Sequence, residues 1–106
     1  MQSYIDLQKI ADELDFDLED VGMLFEAFLE SAYEMLALMQ KALEEGDMES
    51  LYRAAHALKG SAANLKLEVV ENMAKEIELD VRANKKSDYS IRYVHLKSQI
   101  EALGTL

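Results

Sequence analysis

Between Leu18 and Leu43, apolar residues return every three or four positions: Leu18, Val21, Phe25, Phe28, Ala32, Leu36, Met39 and Leu43. That is the period of one face of an α-helix, held over about seven turns. Leu24, Leu29 and Met35 widen the stripe. The chain contains no proline, so nothing of that kind interrupts it. The spacing predicts a helix from Leu18 to about Glu45, ~40 Å long at ~1.5 Å per residue. A helix of this length with one apolar face needs other amphipathic helices to cover it.

The rest of the chain supplies them. A short helix is expected over roughly Tyr4 to Leu14, with Ile5, Ile10 and Leu14 apolar, and Asp15-Phe16-Asp17 breaks it. Asp17 can cap the long helix, with Glu19 and Asp20 in its first turn opposing the macrodipole. At the other end, Gly46 suits a left-handed position and Asp47 can cap the next helix. That third helix is expected from Met48 to about Leu67, and a fourth from about Glu68 to Arg82 with Val70, Met73, Ala74, Ile77 and Val81 on one side. The junction between these two carries neither glycine nor proline. Residues 83–88 read as a polar turn with Ser87 or Asp88 as cap. A fifth helix has Tyr89, Tyr93, Leu96, Ile100 and Leu103 in phase and ends at Gly104. Four long amphipathic helices with short connections imply an all-α fold, an antiparallel up-down four-helix bundle. The short additional N-terminal helix would cover one end. With 106 residues, half of them apolar, residues 1–106 form a single domain on this reading.

The formal net charge of −10 disfavours nucleic acid and anionic lipid as partners. No apolar run approaches the ~18 residues of a membrane span, and the first residues lack the features of a signal peptide. The absence of cysteine excludes a disulfide framework and a thiolate zinc site, compatible with a reducing cytoplasm. The acidic surface argues for a monomer. The charge is uneven, however: residues 51–67 contain no Asp or Glu but hold Arg53, Lys59 and Lys66. This basic island suggests a local anion site or an acidic partner. A metal site is not expected there, because hard cations need convergent carboxylates. A site built on His56 and His95 lacks a third ligand.

The island lies on the third helix. Advancing ~100° per residue, Leu51, Ala55, Leu58, Ala62 and Leu65 fall within a sector of about 80°, the core stripe. His56 stands about 140° from its centre and should face solvent. One turn before it are Tyr52 and Arg53, one turn after it Lys59 and Gly60, and Ala63 lies two turns on. A mid-helix glycine costs about 1 kcal/mol relative to alanine, which invites a functional reason. An imidazole beside an ammonium group and a surface without bulk is suited to carry a phosphoryl group. Neutral imidazole is nucleophilic, Lys59 can sit beside an anion as a point charge, and Gly60 lets a partner come close. His95, by contrast, has no such surroundings. Tyr52, Arg53, Ala63 and Lys66 are the candidate partner-binding residues around this centre.

At His56, Leu58, Lys59, Gly60, Ser61 and Ala62 the sequence resembles the motif of histidine-containing phosphotransfer (HPt) domains. Ala55 and Leu65 also look like the family, and so do the length and the five-helix layout. The resemblance implies that His56 is phosphorylated, that Lys59 stabilises the phosphoryl oxygens and that Gly60 leaves clearance. Ser61 lies toward the core and reads as structural or orienting. The family often has glycine after the residue equivalent to Leu65, where this chain has Lys66.

The implied function is a phosphorelay intermediate that accepts a phosphoryl group on His56 from a receiver-domain aspartyl phosphate and passes it to another receiver aspartate. The partners are then response-regulator receiver domains, with a hybrid sensor kinase as a further candidate. Mg²⁺ is expected on the receiver, with no cofactor bound by this chain. No phosphate-cradling Gly-rich loop is present, so neither an ATP site nor autokinase activity is expected. The alternatives are the phosphate-accepting domain of a larger hybrid or chemotaxis-type histidine kinase, or a non-catalytic helical interaction module. Met1 and the stop near Gly104 favour a stand-alone protein. The module reading leans on the six methionines, of which Met35, Met39 and Met73 fall near core stripes.

Overall fold

The computed structural model describes residues 7–104, and these form five α-helices with no strand among them: α1 (Leu7–Leu14), α2 (Leu18–Glu45), α3 (Met48–Asn64), α4 (Glu68–Arg82) and α5 (Tyr89–Leu103). Tyr4 and Ile5, expected in the first helix, lie outside the described residues.

One device ends each of the first four helices. Asp15, Gly46, Lys66 and Asn84 adopt left-handed backbone, with φ of 58°, 67°, 59° and 55°. In each case that residue and the next donate their N–H groups back to orphan carbonyls, as in Phe16 to Ala11, Asp47 to Ala42, Leu67 to Ala62 and Lys85 to Asp80. This is the Schellman arrangement. Glycine enters the left-handed region without cost, and Asn and Asp tolerate it. Lys66 has neither advantage. The third helix therefore ends at Asn64, three residues short of the expected Leu67, because Lys66 takes the backbone shape that glycine would supply.

The caps explain how short the turns can be. Asp47 closes α2 through its N–H and opens α3 through its carboxylate, which accepts from the Ser50 N–H at 3.1 Å. Asp88, not Ser87, caps α5 by accepting from the Ile91 N–H at 3.2 Å. Asp17 has the extended backbone of a cap, but its side chain accepts no capping hydrogen bond. Leu67 precedes α4 with no polar cap and is buried instead, so no polar punctuation marks that junction.

The helix α2 packs on α3 and α5, α3 on α4, and α4 on α5, which closes a four-membered ring; the short connections make successive helices antiparallel. Val21, Phe25, Phe28, Ala32, Leu36 and Met39 from α2 meet Leu51, Leu58, Val70, Ile77, Leu96 and Ile100 in the core. The fifth helix ends against the Tyr33 hydroxyl, beside Gly104. With 28 residues against 17 and 15, α2 outruns α3 and α5, and α1 packs on it alone, with Ile10 and Ala11 buried. That overhang leaves Leu18 and Leu24, expected in the stripe, exposed to solvent. Among the described residues no helix is long and apolar enough to cross a membrane.

Candidate functional site

The core stripe of α3 is buried as the helical period requires: Leu51, Ala55, Leu58, Ala62 and Leu65 are all nearly inaccessible. Rotating away from it toward α4, one meets Lys59, then Tyr52, then His56. The His56 side chain keeps 59% of its surface exposed. Gly60 is exposed, and nothing lies within 4 Å of where a Cβ would stand. Ala63 is half-buried on the same side.

Across from this face stands a residue that periodicity along α3 could not reveal. Glu78 on α4 is the one buried charged side chain of the described residues, at 4% exposure. One carboxylate oxygen, Oε2, lies 2.5 Å from His56 Nδ1, and the other, Oε1, lies 2.7 Å from Lys59 Nζ. Burial pushes the Glu78 carboxyl toward protonation, but the Lys59 ammonium and the His56 ring outweigh it and hold the group below its usual range. The carboxylate is thus ionised and shared between two side chains of α3. A signal for it was present: Glu78 sits at the margin of the stripe formed by Val70, Ala74, Ile77 and Val81, where a solvated acid would not be placed.

The expectation of an imidazole beside an ammonium group and a surface without bulk needs two corrections. Tyr52 stacks on the ring, with centroids 6.0 Å apart and planes inclined by 19°. The Lys59 side chain is only 27% exposed and is tied to Glu78, so it does not stand free at the surface. Tyr52 in turn carries the Arg82 guanidinium, whose Cζ lies 5.9 Å from the ring centroid and whose Nη1 donates to the tyrosine hydroxyl at 3.4 Å. Two i, i+4 pairs therefore face each other across the α3–α4 seam, Tyr52 and His56 against Arg82 and Glu78.

The remaining candidates fall elsewhere. Arg53 lies beyond His56 on the side away from α4, and its guanidinium pairs with Glu49 at 2.9 Å. It lines a groove against α2 with Met35 and Leu38. Lys66 is exposed but sits past the helix end, in the left-handed turn. Ser61 is half-buried. Among the described residues no three His, Cys, Asp or Glu side chains converge as a metal site. The acid-free run of residues 51–67 is real in sequence, but folding brings Glu78 into its centre.

No curated protein sequence matches the chain. Its fold is similar to that of histidine-containing phosphotransfer protein B (HptB) from Pseudomonas aeruginosa PAO1, with a TM-score of 0.78 and 20% identity over 92% of this chain and 82% of that one. The model of the Hpt domain family matches residues 23–105, from early α2 to beyond α5 and including the whole His56 face. The chain belongs to the Hpt domain family, the histidine phosphotransfer domains that act as phosphorelay intermediates and pair with receiver domains.

Proposed function

We propose that His56 is the phosphorylated residue and that Nε2 is the atom that carries the phosphoryl group. The supporting observation is the contact between His56 Nδ1 and Glu78. A carboxylate accepts only, so Nδ1 carries the proton and the lone pair is left on Nε2. The Nε2 lone pair attacks the phosphorus of a receiver's aspartyl phosphate, the bond from phosphorus to the aspartyl oxygen breaks, and the carboxylate leaves with the electron pair. The ring then bears a positive charge, and Glu78 lies against it. In the onward step a second receiver's aspartate attacks, the bond from Nε2 to phosphorus breaks, and neutral imidazole is regenerated.

In-line transfer depends on alignment and on neutralising charge at the equatorial oxygens. The receiver would supply Mg²⁺ and its acidic pocket; this chain supplies the nucleophile. Gly60 and Ala63 provide a low surface for approach, and Lys59, paired with Glu78, helps to hold the carboxylate against the imidazole. Tyr52, and at the margins Arg53 and Lys66, would meet the receiver. The domain works as a monomer in the cytoplasm, either free or as the phosphate-accepting part of a larger kinase. The test is incubation with an acetyl-phosphate-charged receiver, scoring acid-labile, base-stable label. Label is expected on the native chain and none on His56→Gln; label that persists in His56→Gln overturns the assignment. Receiver binding without any label would instead favour a docking role alone.

A further inference from the structure

Met23 is the most exposed large apolar side chain among the described residues, at 65%. It does not stand alone. Phe16, Met23 and Leu24, with Asp20 among them, line one surface depression of about 430 Å³ at the start of α2. Ala27, also exposed, continues it along the helix. Single exposed apolar residues are ordinary, but several sharing one depression mark a contact surface. Of the other helices only α1 packs near this overhanging end of α2, and it leaves these side chains uncovered.

Charge narrows what can cover them. From Ile10 to Gln40 every charged residue is Asp or Glu. Advancing ~100° per residue from Asp20, Leu24 stands at about 40°, Ala27 at about 340° and Met23 at about 300°. Glu19, Glu26 and Glu30 follow between about 240° and 280°, a row ~16 Å long beside the apolar floor. All three are exposed, and none has a cation partner among the described residues. Glu19 lies in the first turn, where an acid answers the macrodipole; Glu26 and Glu30 lie beyond its reach. A second copy on this patch would set one acidic row against another, and an anionic lipid surface would be repelled.

We propose that this face of α2 docks a basic amphipathic helix of a partner protein. Its apolar stripe would lie on Phe16, Met23 and Leu24, and its Lys or Arg row along Glu19, Glu26 and Glu30. The site is separate from the His56 face. The helices α2 and α3 are antiparallel and meet at Gly46 and Asp47. Met23 is about 14 residues farther from that turn than His56 is, or ~21 Å along the bundle. A helix bound there holds the chain beside its partner while His56 stays open.

The probe is a synthetic peptide of about 14 residues, ~21 Å as a helix, with Leu at helical period and Lys elsewhere. A control peptide keeps every Lys and carries Ser in place of Leu. Calorimetric titration of the full chain should show the control binding at least about 10-fold more weakly. Equal affinity would mean that charge alone attracts the peptide, and overturns the proposal. Amide NMR shifts on binding should be largest within residues 16–30; largest shifts elsewhere overturn it too. Met23→Ser with Leu24→Ser should weaken binding by about 10-fold or more, and Glu26→Gln with Glu30→Gln by about 5-fold. All four side chains are exposed, so circular dichroism should stay native. Native affinity in either pair overturns the site. If sedimentation equilibrium shows a dimer that Met23→Ser with Leu24→Ser dissociates, the occupant is a second copy and the proposal fails. His56→Gln should bind the peptide as the native chain does, and transfer from a charged receiver should keep its rate with the peptide bound. Inhibited transfer would place the peptide on the receiver's surface and overturn the separate site. Peptide binding in a chain that takes no phosphoryl group would undo the role of His56 and support this site.

Discussion

Glu78, 22 residues after His56 and one helix away, holds the imidazole by its Nδ1 atom at 2.5 Å. The same carboxylate holds Lys59 at 2.7 Å. The histidine is therefore exposed yet held in orientation, with its Nδ1 against a buried carboxylate.

Replacing Glu78 by Gln keeps the shape but removes the charge that favours a protonated Nδ1 and the developing imidazolium. Transfer to His56 should slow by about 10-fold, with the helical content unchanged. Single-turnover transfer measured by phosphate gel shift checks this; a native rate would show that Glu78 is structural only.

The depressed carboxyl of Glu78 also has a consequence for stability. Its pKa is below the ordinary 4.5 in the folded chain. Its contribution is therefore fully present above that value and is lost as pH falls through the lower folded one. Acid unfolding of the native chain should be steeper below pH 4.5 than that of Glu78→Gln. Urea midpoints measured from about pH 6 to about pH 3 give the comparison; parallel curves would contradict the pairing.

Lys59→Ala should do more than slow transfer. It leaves a buried carboxylate with one partner in place of two, at a cost of about 1–2 kcal/mol. The readout is the urea midpoint at constant m-value, and an unchanged midpoint would mean that the ion pair contributes nothing.

Gly60 has open space where a Cβ would go, so Gly60→Ala should stabilise the chain by about 1 kcal/mol through helix propensity alone. Gly60→Leu should keep a stable fold but weaken receiver binding by about 10-fold or more, since the added bulk stands one turn from His56. Calorimetric titration with the receiver tests this, and native affinity would remove Gly60 from the docking surface.

Lys66 occupies left-handed backbone at φ 59°. Lys66→Gly should relieve that strain and raise stability by about 0.5–1 kcal/mol. A loss of stability, read from the same urea midpoints, would show that the lysine side chain contributes more than its backbone costs.

Much of this molecule is legible in one dimension. Helical period located α2 to within a residue, because its stripe from Val21 to Met39 obeys one repeat and no proline breaks it. The same period put His56 on the outer face of α3 and Leu58 on the inner one, since both facts depend only on rotation along a single helix. Helix endings were legible where the left-handed residue is Gly46 and obscure where it is Lys66, because lysine carries no signature of that conformation. Beyond reach lay the side-chain contacts made where two helices meet. The acid-free run around His56 suggested a basic island, yet the packing of α4 on α3 places a buried carboxylate at its centre and a guanidinium on its aromatic neighbour. Periodicity along one helix is a local property, and the sequence alone determined it. The partner of an imidazole nitrogen depends on the register between helices far apart in the chain, and only the tertiary structure decided that.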